Sequence, residues 1–348
     1  MDVKQRILWV DVAKCFGIFA IYLGHYRYSA GNAFGFVFAY HVPLFFLLSG
    51  CMESQNPDTS LRTCLKKTLR GIFLPWFVFC LLSVVVYALE NDSGLLDMWP
   101  MIWKIGKGTL RNTFFAVGLW FLTCLGCTKI LFCLIKKLRI KAVIFAVCAG
   151  LYLASLTFVD IENPRWLFNA DCALYYVFYY GLGYLLFPYI NRLLNPQSRG
   201  QKLLLAASAC LSVAYCAYLF FGRNLYGFLE GSRIGGIVYP IATALTCIWF
   251  NFCGAKALEK VPVFQEIGRN TLYLCGSEYL IKTLVNRGCS VLGLTISLPT
   301  PLAAFLLTAA LLWLANRYLV PVEKKLIVSV AGLFPAAEKP RCSDIENL

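Results

Sequence analysis

The sequence predicts an all-α, polytopic membrane protein, and three observations carry that expectation. Of its 348 residues 59% are apolar and only 14% charged, whereas a soluble domain holds roughly 45–50% and about 25%. The apolar residues gather into long runs, and the charges fall between them. A chain with this composition lacks the polar surface to cover a water-facing globule, which argues against a soluble enzyme, and it is too apolar for disorder.

Ten runs stand out along the chain: residues 9–28, 34–52, 72–89, 113–135, 142–159, 170–190, 203–221, 234–253, 271–285 and 300–320. Most approach the roughly 20 residues that a helix needs to cross the hydrocarbon core, so about ten transmembrane helices are expected. The ninth run is short and carries Glu278 and Lys282. Run 9–28 is long enough to span and contains Lys14 and His25 rather than a clean signal-peptide core, so it is expected to stay in the protein. Glycine and proline punctuate the chain without a repeat. One membrane domain, 1–335, followed by a cytoplasmic tail, 336–348, is the simplest organisation.

Lys and Arg between the runs set the orientation. With the N-terminus inside, the cytoplasmic segments hold Lys4, Arg6, Arg62, Lys66, Lys67, Arg70, Lys136, Lys137, Arg139, Lys141, Arg192, Arg199, Lys202, Lys256, Lys260, Arg269, Lys324, Lys325, Lys339 and Arg341. Against these 20 the outer segments hold eight: Arg27, Lys104, Lys107, Arg111, Arg165, Arg223, Arg233 and Arg287. Both termini are therefore expected in the cytoplasm, with the chain multi-pass in the cell (inner) membrane. The net charge of +14 is accounted for as topology, and no nucleic-acid partner is expected.

Nearly all of the 16 cysteines lie inside the runs. Cys124 and Cys127 have redox or zinc spacing but sit within a run with no neighbouring histidine or second pair, so they read as small core residues and no metal is expected.

Polar groups inside the runs are costly and so are the informative ones. Lys14 and His25 are eleven residues apart, within roughly 20° of whole helical turns, so they share a face and stand about 16 Å apart along the axis. Asp11, one turn before Lys14, is placed to pair with it. Two accounts fit each of the other two: a snorkelling lysine and a histidine bonded to a neighbouring helix, or a base with a cationic partner. His41, the only other histidine, opens the stretch His41-Val-Pro-Leu-Phe-Phe-Leu-Leu-Ser-Gly50 at a comparable depth, about two turns from the outer end of the second span. Lys67 and Arg70, three apart at the cytoplasmic edge of the third span, read either as a positive-inside stop signal or as a cradle for phosphates. Near the outer ends Trp120, Asn169 and Asp171 suit an interfacial belt or a sugar platform.

Taken in order, Lys14-x10-His25, the His41 to Gly50 stretch, Lys67-x-x-Arg70 followed by Leu-Pro-Trp, Leu119-Trp120-Phe121-Leu122 and Ile267-Gly268-Arg269-Asn270-Thr271-Leu272 resemble the membrane-bound acyltransferase family 3. The closest subgroup is that of the fucose 4-O-acetylase-like proteins, and the similarity extends over nearly the whole chain. The resemblance implies a ten-helix O-acyltransferase that moves an acyl group, usually acetyl from cytoplasmic acetyl-CoA, onto a hydroxyl of a carbohydrate or cell-envelope precursor. It implies that His25 is the essential histidine, with Lys14 as its basic partner, and that Lys67 and Arg70 form the paired basic motif. Where many relatives carry a histidine this chain has Ser277-Glu278-Tyr279, so an acid–base role there passes to Glu278 or is absent.

O-Acetylation needs a base for the acceptor hydroxyl, donors for the oxyanion and an anchor for an anionic donor. His25 fits the base, with Asp11 beside Lys14. His41 or Tyr40 fits the orientation of the acceptor or donation to the oxyanion, and Glu278 the orientation of a histidine or of the acceptor. Lys14, Lys67 and Arg70 fit the phosphates. The competing class is a proton-coupled transporter or flippase of a polar or lipid-linked substrate, using buried His and Glu as a relay; it predicts paired broken helices in two related halves, which the sequence lacks.

Overall fold

The structure is a computed structural model that describes residues 6–94, 97–108, 110–111, 114–221, 232–293 and 300–332. Among the described residues every regular element is helical. The α-helices are α1 (Leu8–Gly24), α2 (Asn32–Phe38), α3 (His41–Glu53), α4 (Leu61–Thr68), α5 (Leu74–Glu90), α6 (Trp99–Lys107), α7 (Leu119–Ile135) and α8 (Lys141–Phe158). They continue as α9 (Ala170–Leu194), α10 (Arg199–Phe220), α11 (Arg233–Ala257), α12 (Pro262–Arg269), α13 (Thr271–Gly276), α14 (Glu278–Val291), α15 (Pro301–Leu314) and α16 (Val320–Gly332). Single π-helical turns at Leu69–Phe73 and Ala315–Leu319 link α4 to α5 and α15 to α16.

Seven helical stretches are long and apolar enough to cross a membrane: Asn32–Glu53, Leu61–Glu90, Leu119–Leu138, Lys141–Phe158, Arg199–Phe220, Ile234–Ala257 and Pro301–Gly332. Length and composition thus reach seven crossings rather than ten. The other three runs fall on α1, which stops after 17 residues, on α9, which carries Asp171 and Arg192, and on the pair α13 and α14, which Ser277 separates. The expected tail, 336–348, lies outside the described residues.

Proline explains three departures from uniform spans. The run 34–52 turns at Ala39–Tyr40, between α2 and α3. Pro43 has no N–H to return to the Ala39 carbonyl and is accommodated in the first turn of a helix, so the helix restarts at His41. His41 is therefore the first residue of α3, nine residues into the spanning stretch Asn32–Glu53. Pro75 falls within the 30-residue stretch Leu61–Glu90. Immediately ahead of it the Leu74 N–H reaches back five residues to the Leu69 carbonyl, opening the helix into a π turn. The same device precedes Pro321, where the Val320 N–H reaches the Ala315 carbonyl.

The chain forms two compact units. The first comprises Met1–Leu48, Leu186–Thr271 and Ser297–Trp313. In it α1 packs against α2, α11 and α12, and α10 against α11. Trp9 is buried against Phe252, with ring centroids 5.1 Å apart, and its indole N–H donates to Asn191 Oδ1 at 3.1 Å. Phe16 meets Phe264, and Phe19 meets Phe305. Gly268 permits the α1–α12 contact, because a Cβ there would run into the Asp11 carbonyl.

The second unit comprises Ser49–Leu185, Leu272–Ile296 and Leu314–Leu348. Here α7 packs against α4, the first π turn and α5, while α5 also meets α6, α14 and α16. Phe132, Ile135, Ile144, Cys148, Val177 and Tyr180 form an apolar core from α7, α8 and α9. Gly50 in α3 lies against the Tyr180 carbonyl, where no side chain fits.

Adding a methyl group at either close approach forces backbones apart, so Gly268→Ala and Gly50→Ala are each expected to lose about 1–3 kcal/mol or more of stability. Gly150→Ala on α8, whose Cβ would enter open space, is expected to be neutral or to gain up to about 1 kcal/mol. Thermal unfolding of the three purified variants checks the contrast.

Candidate active site

In the first unit the interval from Lys14 to His25 is helical throughout, with His25 capping α1 through its N–H to the Ile21 carbonyl at 3.1 Å. The shared face expected from sequence is kept, although run 9–28 ends as an α-helix at Gly24, ahead of Arg27, which has a positive φ of 51°. Lys14 is buried and His25 half-buried. Asp11 accepts from Arg6 Nε at 2.6 Å and Nη2 at 3.4 Å, and Arg269 Nε stands 3.8 Å away. The Ile267-Gly268-Arg269-Asn270 stretch thereby acquires a physical use: Gly268 brings α12 onto α1, and Arg269 then faces Asp11.

His41 is buried, and its Nδ1 lies 2.7 Å from the Val37 carbonyl. A carbonyl can only accept, so Nδ1 carries a proton in this bond. The side chain thus satisfies a carbonyl at the end of α2. Phe38 stands edge-on to His41 with centroids 4.9 Å apart. Phe38 and Val37 also pack on Gly24, the residue before His25. Tyr40 is buried, and its hydroxyl faces the side chain of Asn251 on α11. The Asn251 Oδ1 is buried without a hydrogen-bond partner among the described residues. Sequence reasoning passed over Asn251; its signal was the one amide within the run 234–253.

In the second unit Lys67 occupies the last turn of α4, and Arg70 lies inside the π turn. Lys67 is exposed and Arg70 half-buried. Two further lysines, also passed over as site residues, are Lys129 on α7 and Lys136 directly after its last residue. Lys136 is buried and donates to Glu53 Oε1 and, at 3.3 Å, to the Asn56 carbonyl. The Tyr180 hydroxyl donates to the second Glu53 oxygen at 3.4 Å. Lys129 lies within electrostatic reach of Glu53, Lys67 and Lys136. A lysine in the middle of an apolar run was the available signal.

The outer-end candidates are heavily engaged. The Arg111 guanidinium lies 4.0 Å from the centroid of the Trp120 ring and pairs with Glu162 at 2.6 Å. Asn169 Nδ2 donates to Thr123 Oγ1 at 2.8 Å and to the carbonyls of Gly108 and Trp120 at 3.1 and 3.3 Å, while its Oδ1 is buried with no partner among the described residues. Asp171 accepts the N–H groups of Arg165 at 2.6 Å and Trp166 at 3.2 Å. These bonds hold a turn in which Phe168 and Asn169 both have positive φ, 57° and 55°, so both side chains perform structural work. Glu278 is buried and pairs with Lys282 at 2.5 Å one turn on. Its neighbour Tyr279 donates to Glu90 at 2.9 Å.

Among the described residues no three or more His, Cys, Asp or Glu side chains converge as a metal site, and the described cysteines are free thiols. The first unit offers one imidazole, His25, at the end of the helix that carries the buried Lys14 ammonium and a second, His41, on α3, and the second unit offers a cluster of cations. These are the groups that proton transfer and anion binding require.

The family model described as an acyltransferase domain, that of acyltransferase family 3, matches residues 7–322. No curated protein and no solved structure matches the chain.

Removing one partner of the buried Glu53–Lys136 pair strands the other charge, so Glu53→Gln and Lys136→Met are each expected to cost about 3–5 kcal/mol. The double variant is expected to recover most of that loss, and a double-mutant cycle on the denaturation midpoints measures the recovery.

Proposed function

The chain belongs to acyltransferase family 3 and is a membrane acyltransferase, and from that premise we propose that it moves an acyl group, acetyl in the simplest case, from cytoplasmic acyl-CoA to a hydroxyl of a carbohydrate or cell-envelope precursor, as the fucose 4-O-acetylase-like subgroup does. In this reading His25 takes the proton of the acceptor hydroxyl while its oxygen attacks the thioester carbonyl. The C–S bond then breaks, and the departing CoA thiolate receives the proton back from the imidazolium.

The observation that carries this reading is helix α1, which holds a buried Lys14 and a half-buried His25 on one face, about 16 Å apart. That separation is of the order of an extended pantetheine arm, so a phosphate held at Lys14 leaves the thioester near His25. Asp11 keeps Lys14's end of the helix tied to Arg6 and Arg269. Lys67 and Arg70 are further phosphate ligands in this proposal. His41, with its Nδ1–H given to Val37, orients the acceptor or donates to the oxyanion in this proposal. Tyr40 supports the acceptor side. Trp120 and the buried Oδ1 of Asn169 are proposed acceptor contacts, Asp171 contributes by holding their turn, and Glu278, paired with Lys282, assists the acceptor.

The same reading gives ten crossings with both termini cytoplasmic in the cell (inner) membrane, which the asymmetry of 20 basic residues to eight supports. The family match favours acyl transfer over the transporter alternative.

Membranes containing His25→Ala at unchanged protein level are expected to transfer labelled acetyl from acetyl-CoA about 10²–10⁴-fold more slowly than wild type. Full transfer by that variant would remove His25 as the base. Mass spectrometry of surface glycans from cells with and without the intact protein, searched for one acyl increment, identifies the acceptor.

A further inference from the structure

A cleft of about 420 Å³ in the second unit is lined by Ser49, Glu53, Asn56, Lys129 and Tyr180 together with apolar side chains from α3, the first π turn and α7. Its charges do not balance. Glu53 is the carboxylate of the group, and Lys136 and Tyr180 already engage its two oxygens. Lys129 sits half-buried in the wall, within electrostatic reach of Glu53, which attracts it, and of Lys67 and Lys136, which repel it, and its ammonium makes no hydrogen bond or ion pair with any described residue.

An ammonium withdrawn from water without a partner is costly, and more so within a helix apolar enough to span. Lys129 on α7 and Lys136 at its C-cap are seven residues apart, so they share a face, with Lys129 about 10 Å deeper. Lys136 is neutralised by Glu53, and Lys129 is the cation left facing open space.

We propose that this cleft binds a phosphoryl anion, with Lys129 as its principal ligand and the Glu53–Lys136–Tyr180 set as the scaffold that keeps Lys129 from collapsing onto the carboxylate. A phosphoryl group carries the charge Lys129 lacks and has oxygens for the Ser49 hydroxyl as well. Assignment of that group to the nucleotide end of an acyl-CoA rests on the acyltransferase reading above; an anionic phospholipid headgroup offers the same chemistry.

The test uses the purified full chain in phosphatidylcholine nanodiscs, titrated with 3′,5′-ADP, and in parallel nanodiscs containing phosphatidylglycerol. Wild type is expected to bind 3′,5′-ADP, Lys129→Met to bind it at least about tenfold more weakly, and Lys129→Arg to retain most of the affinity. Lys129→Met is also expected to unfold at a higher temperature without ligand, since it removes an uncompensated charge; this separates lost binding from lost folding. Stabilisation by phosphatidylglycerol alone, abolished in Lys129→Met, supports the phosphoryl cleft while removing the nucleotide from it. Equal binding by Lys129→Met and wild type, or no response to either anion, overturns the proposal. If His25→Ala still abolishes transfer in that case, the acyltransferase reading stands without this cleft.

Discussion

A backbone carbonyl surrounded by hydrocarbon must find its donor within the protein, and much of this structure is shaped by places where proline removes one. Pro43, Pro75 and Pro321 each lack the N–H that a helix would use to close its previous turn. The chain answers with a restart at His41 and with two π turns, Leu69–Phe73 and Ala315–Leu319. Candidate residues sit at two of these irregularities. His41 supplies an Nδ1–H to Val37 next to the break, and Arg70 rides in the first π turn. The irregular backbone and the polar side chains are two aspects of one accommodation, in which a helix that cannot be regular acquires room for a group that does not belong in lipid.

Three buried carboxylates follow a comparable economy. Asp11 is held between two arginines, Glu53 between a lysine and a tyrosine, and Glu278 by the lysine one turn on. Each set lies within one compact unit, so the desolvation cost of each charge is offset locally. Lys129 departs from that pattern, and the departure is what makes it chemically interesting.

Much of the fold was legible because membrane insertion leaves a strong imprint: apolar runs of spanning length and basic residues between them are one-dimensional features. Lys14 and His25 were legible for a similar reason, since α-helical spacing alone places them on one face. The π turn ahead of Pro75 could be suspected only as a disturbance, because a proline within a run does not say whether the helix will kink, stop or widen. The division at Ser277 and the early end of α1 at Gly24 depend on packing. Lys129 was visible as an isolated charge, but its significance depends on Glu53 being already claimed by Lys136 and Tyr180, contacts separated by many tens of residues in sequence. Asn169 and Asp171 show the converse: both were noticed, and tertiary contacts reveal that most of their hydrogen bonding is spent on a strained turn.

The π turn at Leu69–Phe73 has a consequence for how the longest helical stretch is interpreted and engineered. A five-residue closure accommodates one more residue than an α turn does, so everything after Leu74 is rotated by about 100° relative to an uninterrupted helix beginning at Leu61. A single helical wheel drawn through residues 61–90 therefore assigns the wrong faces to one half. Lys67 belongs to one wheel, and Trp76, Phe79 and Ser83 belong to the other. Loss of one residue from the turn would leave composition and hydropathy almost untouched, yet it would turn the second half as a screw turns in its thread, presenting a different row of side chains to every helix packed against it.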